Sequence, residues 1–422
     1  MISFLIKGLL RDRSRSLFPL FVIIAGVTLT VIMHCWIEGM FVNMTQSSAN
    51  FQSGHVKVTT RAYAKEASQL PNDLAITGLD TLLQELSADY PGMNWASRIR
   101  FGGLLDIPDA DGETRVQGPA LGLGIELHSS GAEKQRLNLT EALDAGSLPE
   151  KPGDMLISSS LAEKLGVKPG DAATLIGSTM HGSMAMANFS ICGTIRFGMN
   201  ALDRGAFIVD LSDAQIALDM QNSTGEILGF FNDGYFDRER SEAMGISFNA
   251  RQNADDEFAP RMEPLSAQGG LGDLLDLASV VMGVIIFMFI FIMFIVLWNA
   301  GLMGSIRRYG EIGVRMAIGE PKSHLYGTLL IESMVLGLIG SIIGTAIGLS
   351  IAYYLQKVGF DMGSMMKDSS VMMSNVMRAR ITPTSWLVGF LPGLIATVLG
   401  TAIAGIGIYK RQTAQLFKEL EV

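Results

Sequence analysis

Cysteine is almost missing from this chain: two residues, Cys35 and Cys192, in 422. They fall in segments that read as different parts of the protein, so no disulfide framework braces it and two free thiols are expected. Histidine is scarce as well, at five, and no His/Glu or Ser/His constellation stands at a spacing that suits hydrolysis. No Gly-x-x-x-x-Gly-Lys-Ser/Thr loop is present to wrap phosphates. The chain is therefore expected to be no enzyme, to carry no catalytic or metal site, and to hold no cofactor of its own. Charge is thin, with 17% charged residues and a net charge of -9. The acidity spreads over a mostly polar middle section while basic residues gather beside apolar runs. This leaves nucleic acid without support as a partner and reads as the solubility of an exposed domain.

What the chain has in quantity is apolar residues, at 48%, and 47 glycines. That is too apolar for an ordinary soluble enzyme, and the apolar mass is clustered. Four runs, 17–40, 278–303, 325–355 and 386–409, reach the roughly 20 residues that a helix needs to cross a bilayer. The first follows Lys7, Arg11, Arg13 and Arg15, as a signal peptide would, but it has spanning length and runs into His34, Cys35 and Trp36 with no small-x-small cleavage site. An uncleaved anchor is expected. Basic residues flank the first run, fill the loop after the second (Arg307, Arg308, Arg315, Lys322) and follow the fourth (Lys410, Arg411, Lys418). This bias places both termini in the cytoplasm, and 41–277 and the loop 356–385 outside. Within 1–16, Ile2, Leu5, Ile6, Leu9 and Leu10 recur at helical spacing, which reads as an interfacial amphipathic helix or as the start of the first span.

The fold class expected is a membrane α-helical protein with four transmembrane helices and a large two-lobed α+β extracytoplasmic domain inserted between the first and second. One lobe would join 41–120 with 225–265 and the other would hold 121–224. Strands are expected at 54–59, 96–107, 173–175, 188–197 and 206–209, and helices at 78–89, 159–165, 211–219 and 237–248. Ser159 and Asp213 suit helix starts and Gly166 a stop. In the third span Gly340, Gly344 and Gly348 repeat at every fourth position, and Gly389 and Gly393 share that spacing in the fourth, which lets helix backbones approach closely. Glu332 is expected to make a structural hydrogen bond within that packing. The second span, rich in Phe, Ile and Met, reads as facing lipid or a loosely paired partner subunit.

The segment 307–333 carries the densest signal. It reads Arg-Arg-Tyr-Gly-Glu-Ile-Gly-Val-Arg-Met-Ala-Ile-Gly-Glu-Pro-Lys-Ser-His-Leu and continues into the third span to Glu332 and Ser333. Basic and apolar residues interleave in a short helix that stops at Gly319 and restarts at Pro321, which a first helical turn tolerates. Such an element needs a cytoplasmic protein to bury Ile312, Met316 and Ile318. The pattern at Arg307, Arg308, Glu311, Ile312, Gly313, Ala317, Ile318 and Gly319, with Arg315 slightly displaced, resembles the FtsX/MacB-like permeases of type VII ABC transporters, including the lipoprotein-releasing Lol permeases. The Glu332–Ser333 pair, the span order, Gly54-His55-Val56 and the turn from Leu165 to Asp171 extend the likeness. Glu320-Pro321 and the acidic end of the tail 410–422 depart from it.

The resemblance implies that 304–324 is a coupling helix docked on a separate ATPase, with Arg307, Arg308, Tyr309, Glu311, Ile312, Gly313, Arg315, Met316, Ile318, Gly319 and Lys322 at the contact. ATP and Mg would be bound by that partner, an ABC ATPase dimer, and a second permease copy or a homologous permease would complete the complex. The function it implies is mechanotransmission to a periplasmic domain for lipoprotein release from the inner membrane, with a lipoprotein substrate or a periplasmic carrier or adaptor as further partner. The alternatives are a MacB-type efflux permease and an FtsX-type regulator of a cell-wall hydrolase that transports nothing. Met180, His181, Met184, Met186 and Cys192, and the Met-rich stretch 362–377, read as pliable apolar surface for lipid or adaptable partners before Cu(I) sites.

Overall fold

A computed structural model describes residues 13–109, 111–128, 132–197, 200–268, 271–306, 309–361 and 376–410. Most of the expected interfacial helix, Arg307 and Arg308, the tail beyond Lys410 and the Met-rich stretch up to 375 lie outside the described residues. The chain starts as α1 (Arg13–Ser48), passes through a π turn (Ala49–Ser53) and enters β1 (Val56–Thr60). Then follow β2 (Ile76–Thr77), α2 (Leu79–Asp89), β3 (Met93–Pro108), β4 (Thr114–Ile125), β5 (Leu143–Gly146), β6 (Asp154–Ser158) and α3 (Ser159–Leu165). Next come β7 (Ala172–Ser178), β8 (Met184–Ile195), β9 (Ala206–Asp210), α4 (Leu211–Ala217), β10 (Ser223–Thr224), β11 (Glu226–Phe231), α5 (Arg238–Asn249) and β12 (Pro260–Pro264). Four more helices complete it: α6 (Leu271–Ile306), α7 (Tyr309–Ala317), α8 (Lys322–Val358) and α9 (Pro383–Lys410). Two units divide the chain, one of helices and one built on Asn43–Leu277.

The second unit is organised by a ten-stranded mixed sheet in the order β12-β1-β11-β3-β4-β9-β6-β8-β5, with β7 pairing β3 and β8. β9 (Ala-Phe-Ile-Val-Asp) is buried at every position, the pattern of a strand covered on both faces. β3 and β4 form a long antiparallel pair from Arg98↔Ile125 to Ile107↔Val116. One apolar cluster packs Ile99, Phe101, Leu105, Leu161, Leu175, Phe207 and Ala214 between the sheet, α3 and α4. Another joins Val56, Val58, Leu86, Ile227, Phe231 and Phe248 from β1, β11, α2 and α5.

All five expected strands and all four expected helices of this unit exist. The helix starts differ by a few residues: Ser158, not Ser159, accepts the Leu161 amide, and Asp210, not Asp213, accepts that of Ser212. In both cases the capping residue still has extended backbone, which lets its side chain fold back over the first turn. Gly166 ends α3 at φ 65°, as expected. β4 is not among the expected strands, and its sequence holds the glycines Gly118, Gly122 and Gly124. They are there for space: a Cβ on Gly122 would meet the Phe101 ring at 2.3 Å, and one on Gly124 the Ala214 methyl at 2.6 Å.

Among the described residues, four helices are long and apolar enough to cross a membrane. The glycines of α8 face α1: a Cβ on Gly340 would lie 2.6 Å from Ile23 Cγ2, on Gly344 2.9 Å from Val27 Cβ, and on Gly348 2.8 Å from Val31 Cβ. Gly389 and Gly393 of α9 close on Val31 and Val27 of the same helix. Thr28 Oγ1 donates to the Gly344 carbonyl at 3.1 Å, using the room that the missing side chain leaves. α6 stands apart, with 11% of its most apolar window buried against 44%, 39% and 39% in the other three. Its contacts with α1 and α9 are made near its end, where Met293 and Leu297 meet Gly26 and the Trp298 carbonyl meets Gly400.

Replacing Gly344 by Leu is expected to cost about 1–3 kcal/mol through overpacking against α1. Thermal unfolding in detergent checks this, with Gly283→Leu as control, since a Cβ there meets nothing within 4 Å.

Candidate coupling site

α7 is held in place by the residues that follow it. The helix ends at Ala317, and Gly319, at φ 100°, turns the chain. The Glu320 amide then bonds back to the Arg315 carbonyl at 3.1 Å. Arg315 grips the Glu320 carboxylate as a fork, Nε to Oε2 at 2.7 Å and Nη2 to Oε1 at 2.9 Å, and His324 Nδ1 lies 2.7 Å from Oε1. The bonds from Arg315 and His324 hold the Glu320 carboxyl below the usual range, so the lock stays charged at neutral pH. Pro321 has extended backbone (ψ 141°) and caps α8 from outside, so the restart falls at Lys322 and not at the proline itself.

The burial differs from the expectation at two of three positions. Ile312 is 3% exposed and packs with Leu325 and Leu329 of α8, and the half-buried Met316 lies against the same cluster, so α8 covers Ile312 fully and Met316 in part. Ile318 is 82% exposed and Val314 44%. Gly313 is buried, and of Tyr309 and Glu311 only the backbone within α7 is described. Glu332 is half-buried in α8, beside Ser333, whose hydroxyl donates to the Leu330 carbonyl at 2.9 Å. Met184 and Met186 point outward from β8, while Cys192 lies half-buried with Sγ donating to the Met155 carbonyl, so these residues are not gathered into one site. Among the described residues no group of three His, Cys, Asp or Glu is placed to hold a metal ion.

A second constellation, missed in the sequence, lies where α1 ends in the sheet unit. Arg98 and Arg100 occupy one face of β3, and Glu226 of β11 stands opposite Arg98 in register. Arg98 Nε and Nη2 both lie 2.7 Å from Glu133 Oε2, and Arg136 binds the other oxygen of that carboxylate. Glu226 is shared by Arg100 Nε at 2.7 Å and Lys57 Nζ at 2.8 Å. Arg98 Nη1 donates to the Phe51 carbonyl at 3.2 Å, and Arg100 Nη2 to those of Phe51 and Gln52 at 3.0 and 2.9 Å. Burial works to raise the Glu133 and Glu226 pKa values, but the cations around them win and both carboxyls sit below the usual range. The available signal was a pair of arginines two apart in an otherwise apolar strand, Ala-Ser-Arg-Ile-Arg-Phe.

The strand that leaves α1 and the strand that leads to α6 pair with each other, from Val56↔Pro264 to Thr60↔Pro260. Gln268 Nε2 bridges the Ser53 and Glu263 carbonyls at 3.2 and 3.0 Å. Near the start of α6, Arg238 of α5 binds Asp276 and Glu242, and Ser266 donates to Glu242 at 3.0 Å.

Residues 283–413 match the FtsX-like permease C-terminal family. The chain is similar to the lipoprotein-releasing system transmembrane protein LolC of Xylella fastidiosa strain 9a5c, 25% identical over 270 residues, and the match spans 60% of this chain and 61% of that protein. A stretch of 61 residues, 14% of this chain and 10% of the relative, is 39% identical to the macrolide export ATP-binding/permease protein MacB of Hyphomonas neptunium. The crystal structure of the periplasmic region of MacB from Actinobacillus actinomycetemcomitans aligns with a TM-score of 0.34 at 11% identity, covering 54% of this chain and 91% of that one. Over these stretches the chain is similar to permeases of the FtsX, MacB and LolC type, and the match spans about three-fifths of the length of the LolC relative.

Removing one member of the buried charge network leaves its partners unanswered, and Glu133→Gln is expected to cost about 3–5 kcal/mol at neutral pH. Because the folded-state pKa of Glu133 is depressed, its contribution is complete above the ordinary carboxylate range and is lost as pH falls through the depressed value. The difference in melting temperature between variant and wild type should therefore shrink only in that acid window, as calorimetry over a pH series would measure.

Proposed function

We propose that this chain is the transmembrane subunit of an ABC-type complex in the inner membrane, with a separate ATPase docked on α7 and a sheet unit that acts on cargo outside the membrane. The observation that carries the reading is α7 itself: a short helix between two spans, locked from behind by Glu320 and Leu325, that leaves Ile318 and Val314 exposed. An exposed apolar end on a rigid element is what a partner's groove takes up. The basic residues beside the spans support an orientation with this element and both termini in the cytoplasm and the sheet unit on the periplasmic side. ATP and Mg then belong to the ATPase, present as a dimer under two permease chains, identical or homologous. Tyr309, Glu311, Arg315, Gly319 and Lys322 would line the contact, together with Arg307 and Arg308.

For cargo we favour lipoprotein release, which the similarity to LolC supports, at 25% identity over 60% of this chain. Force from the ATPase would pass along the long helices to the sheet unit, so that cargo is moved without a channel through the bilayer. The 61-residue similarity to MacB supports a second reading, export of a periplasmic molecule with an adaptor protein. Photoreactive residues on the sheet unit of the working complex separate the two. Adducts with a lipoprotein or its carrier support release, adducts with an adaptor support export, and a cell-wall hydrolase as the sole adduct overturns both.

Ile318→Asp is expected to lower co-purification of the ATPase about tenfold or more, in line with the loss of an apolar anchor at an interface, while leaving the melting temperature of the chain unchanged. Ile312→Asp should instead lower the melting temperature, because that side chain is buried within the chain. Retention of the ATPase by Ile318→Asp would remove α7 as its dock.

A further inference from the structure

We infer that Arg98 and Arg100 form the joint at which α1 is fixed to the sheet, and that Arg100 positions the helix end for the transmission of force. This rests on the coupling role proposed above. A helix that drives a domain loses its stroke in any flexible linker, and here there is almost none. α1 runs to Ser48, the π turn continues to Ser53, and only Gly54 and His55 precede β1. The last carbonyls of a helix have no partner in the helix and are usually left to water. In this chain the carbonyls of Phe51 and Gln52 are held by guanidinium groups from the central strand β3, and Phe51 accepts from both arginines.

Each arginine is braced in turn. Glu133 fixes Arg98 and is itself held by Arg136, whose guanidinium lies 3.7 Å over the Phe230 ring. Glu226 fixes Arg100 and is held by Lys57 of β1, the strand into which α1 runs. Four cations thus face Glu133 and Glu226, with Glu126 also acting on Arg136, and the positive charge that remains lies against the negative end of a 36-residue helix. Stability alone does not account for such a cluster, since apolar side chains of similar volume often hold a core as well as buried ion pairs do. Apolar side chains cannot grip carbonyl oxygens in a fixed direction, whereas a guanidinium fork does.

The other connection is built differently. Asp276, near the start of α6, is held by Arg238 in a pair half open to solvent, at 51% and 53% side-chain exposure. Exposed pairs constrain weakly. The grip of Arg98 and Arg100 on the end of α1 is the more buried of the two, so a displacement of α1 is passed to β3 through these arginines.

The test uses the full chain with its co-purifying ATPase in nanodiscs, as wild type, Arg100→Ala, Arg100→Lys and, as a control on an exposed ion pair, Arg196→Ala. In Arg100→Ala, amide hydrogen exchange at residues 49–53 should accelerate about tenfold or more through local opening. ATP hydrolysis should stay within about twofold, because the nucleotide site lies in another chain. The ATP-driven change in distance between spin labels on Glu150 and Leu399 should collapse, with Arg100→Lys intermediate. A disulfide between Ser53→Cys and Gln268→Cys in the Arg100→Ala chain should restore the distance change, which a purely structural role for Arg100 does not predict. An undiminished distance change in Arg100→Ala, or a disulfide that repairs the melting temperature without the distance change, overturns the joint. A wild-type complex with no ATP-driven change overturns the coupling role and the joint together.

Discussion

A helix that ends among protein rather than water must find donors for its last carbonyl groups, and much of the sheet unit is arranged around the answer given at the end of α1. The donors are guanidinium groups of Arg98 and Arg100, which cannot shed their charge and so require carboxylates. Those carboxylates have to arrive from elsewhere in the chain. Glu226 comes from β11, which fixes the register of that strand against β3. Glu133 comes from the short helix Ala132–Arg136, whose own Arg136 completes the set. One group of backbone lone pairs thus ties together residues far apart in sequence.

The sequence was legible where local chemistry decided the structure. Four spans, the strands around β3 and β8, the helix stop at Gly166 and the bend at Gly319 all follow from apolar runs, periodicity and glycine. It was poorly legible where the deciding partner lay elsewhere. β4 was not among the expected strands, and its glycines Gly122 and Gly124 answer to Phe101 and Ala214, residues of other elements. Ile312 and Met316 looked like contacts for another protein because their true cover, Leu325 and Leu329, sits in a helix read only as a span. The charge network was legible only in half for the same reason: the arginine pair Arg98 and Arg100 in an apolar strand signals buried charge, but not which carboxylates will meet it.

The small size of α7 has a thermodynamic side. Nine residues do not hold a helix by propensity alone. This one is held by the Arg315–Glu320–His324 lock and by the apolar cluster against α8, both within the chain. A surface held in one shape loses little conformational entropy on binding, so under the coupling role proposed above a few exposed apolar atoms at Ile318 and Val314 would go further than on a loose loop.

The pairing of β1 with β12 and β11 has a consequence for biosynthesis. β1 leaves the ribosome early, but both of its neighbours in the sheet come from the far end of the domain, on the order of 200 residues later. Until then its backbone groups are unpaired beside an anchor that is already in the membrane. An open strand of this kind is a template for wrong partners. Closure of the sheet is therefore a late event that comes only just before α6 is made, and the nascent domain passes most of its synthesis with its first strand waiting.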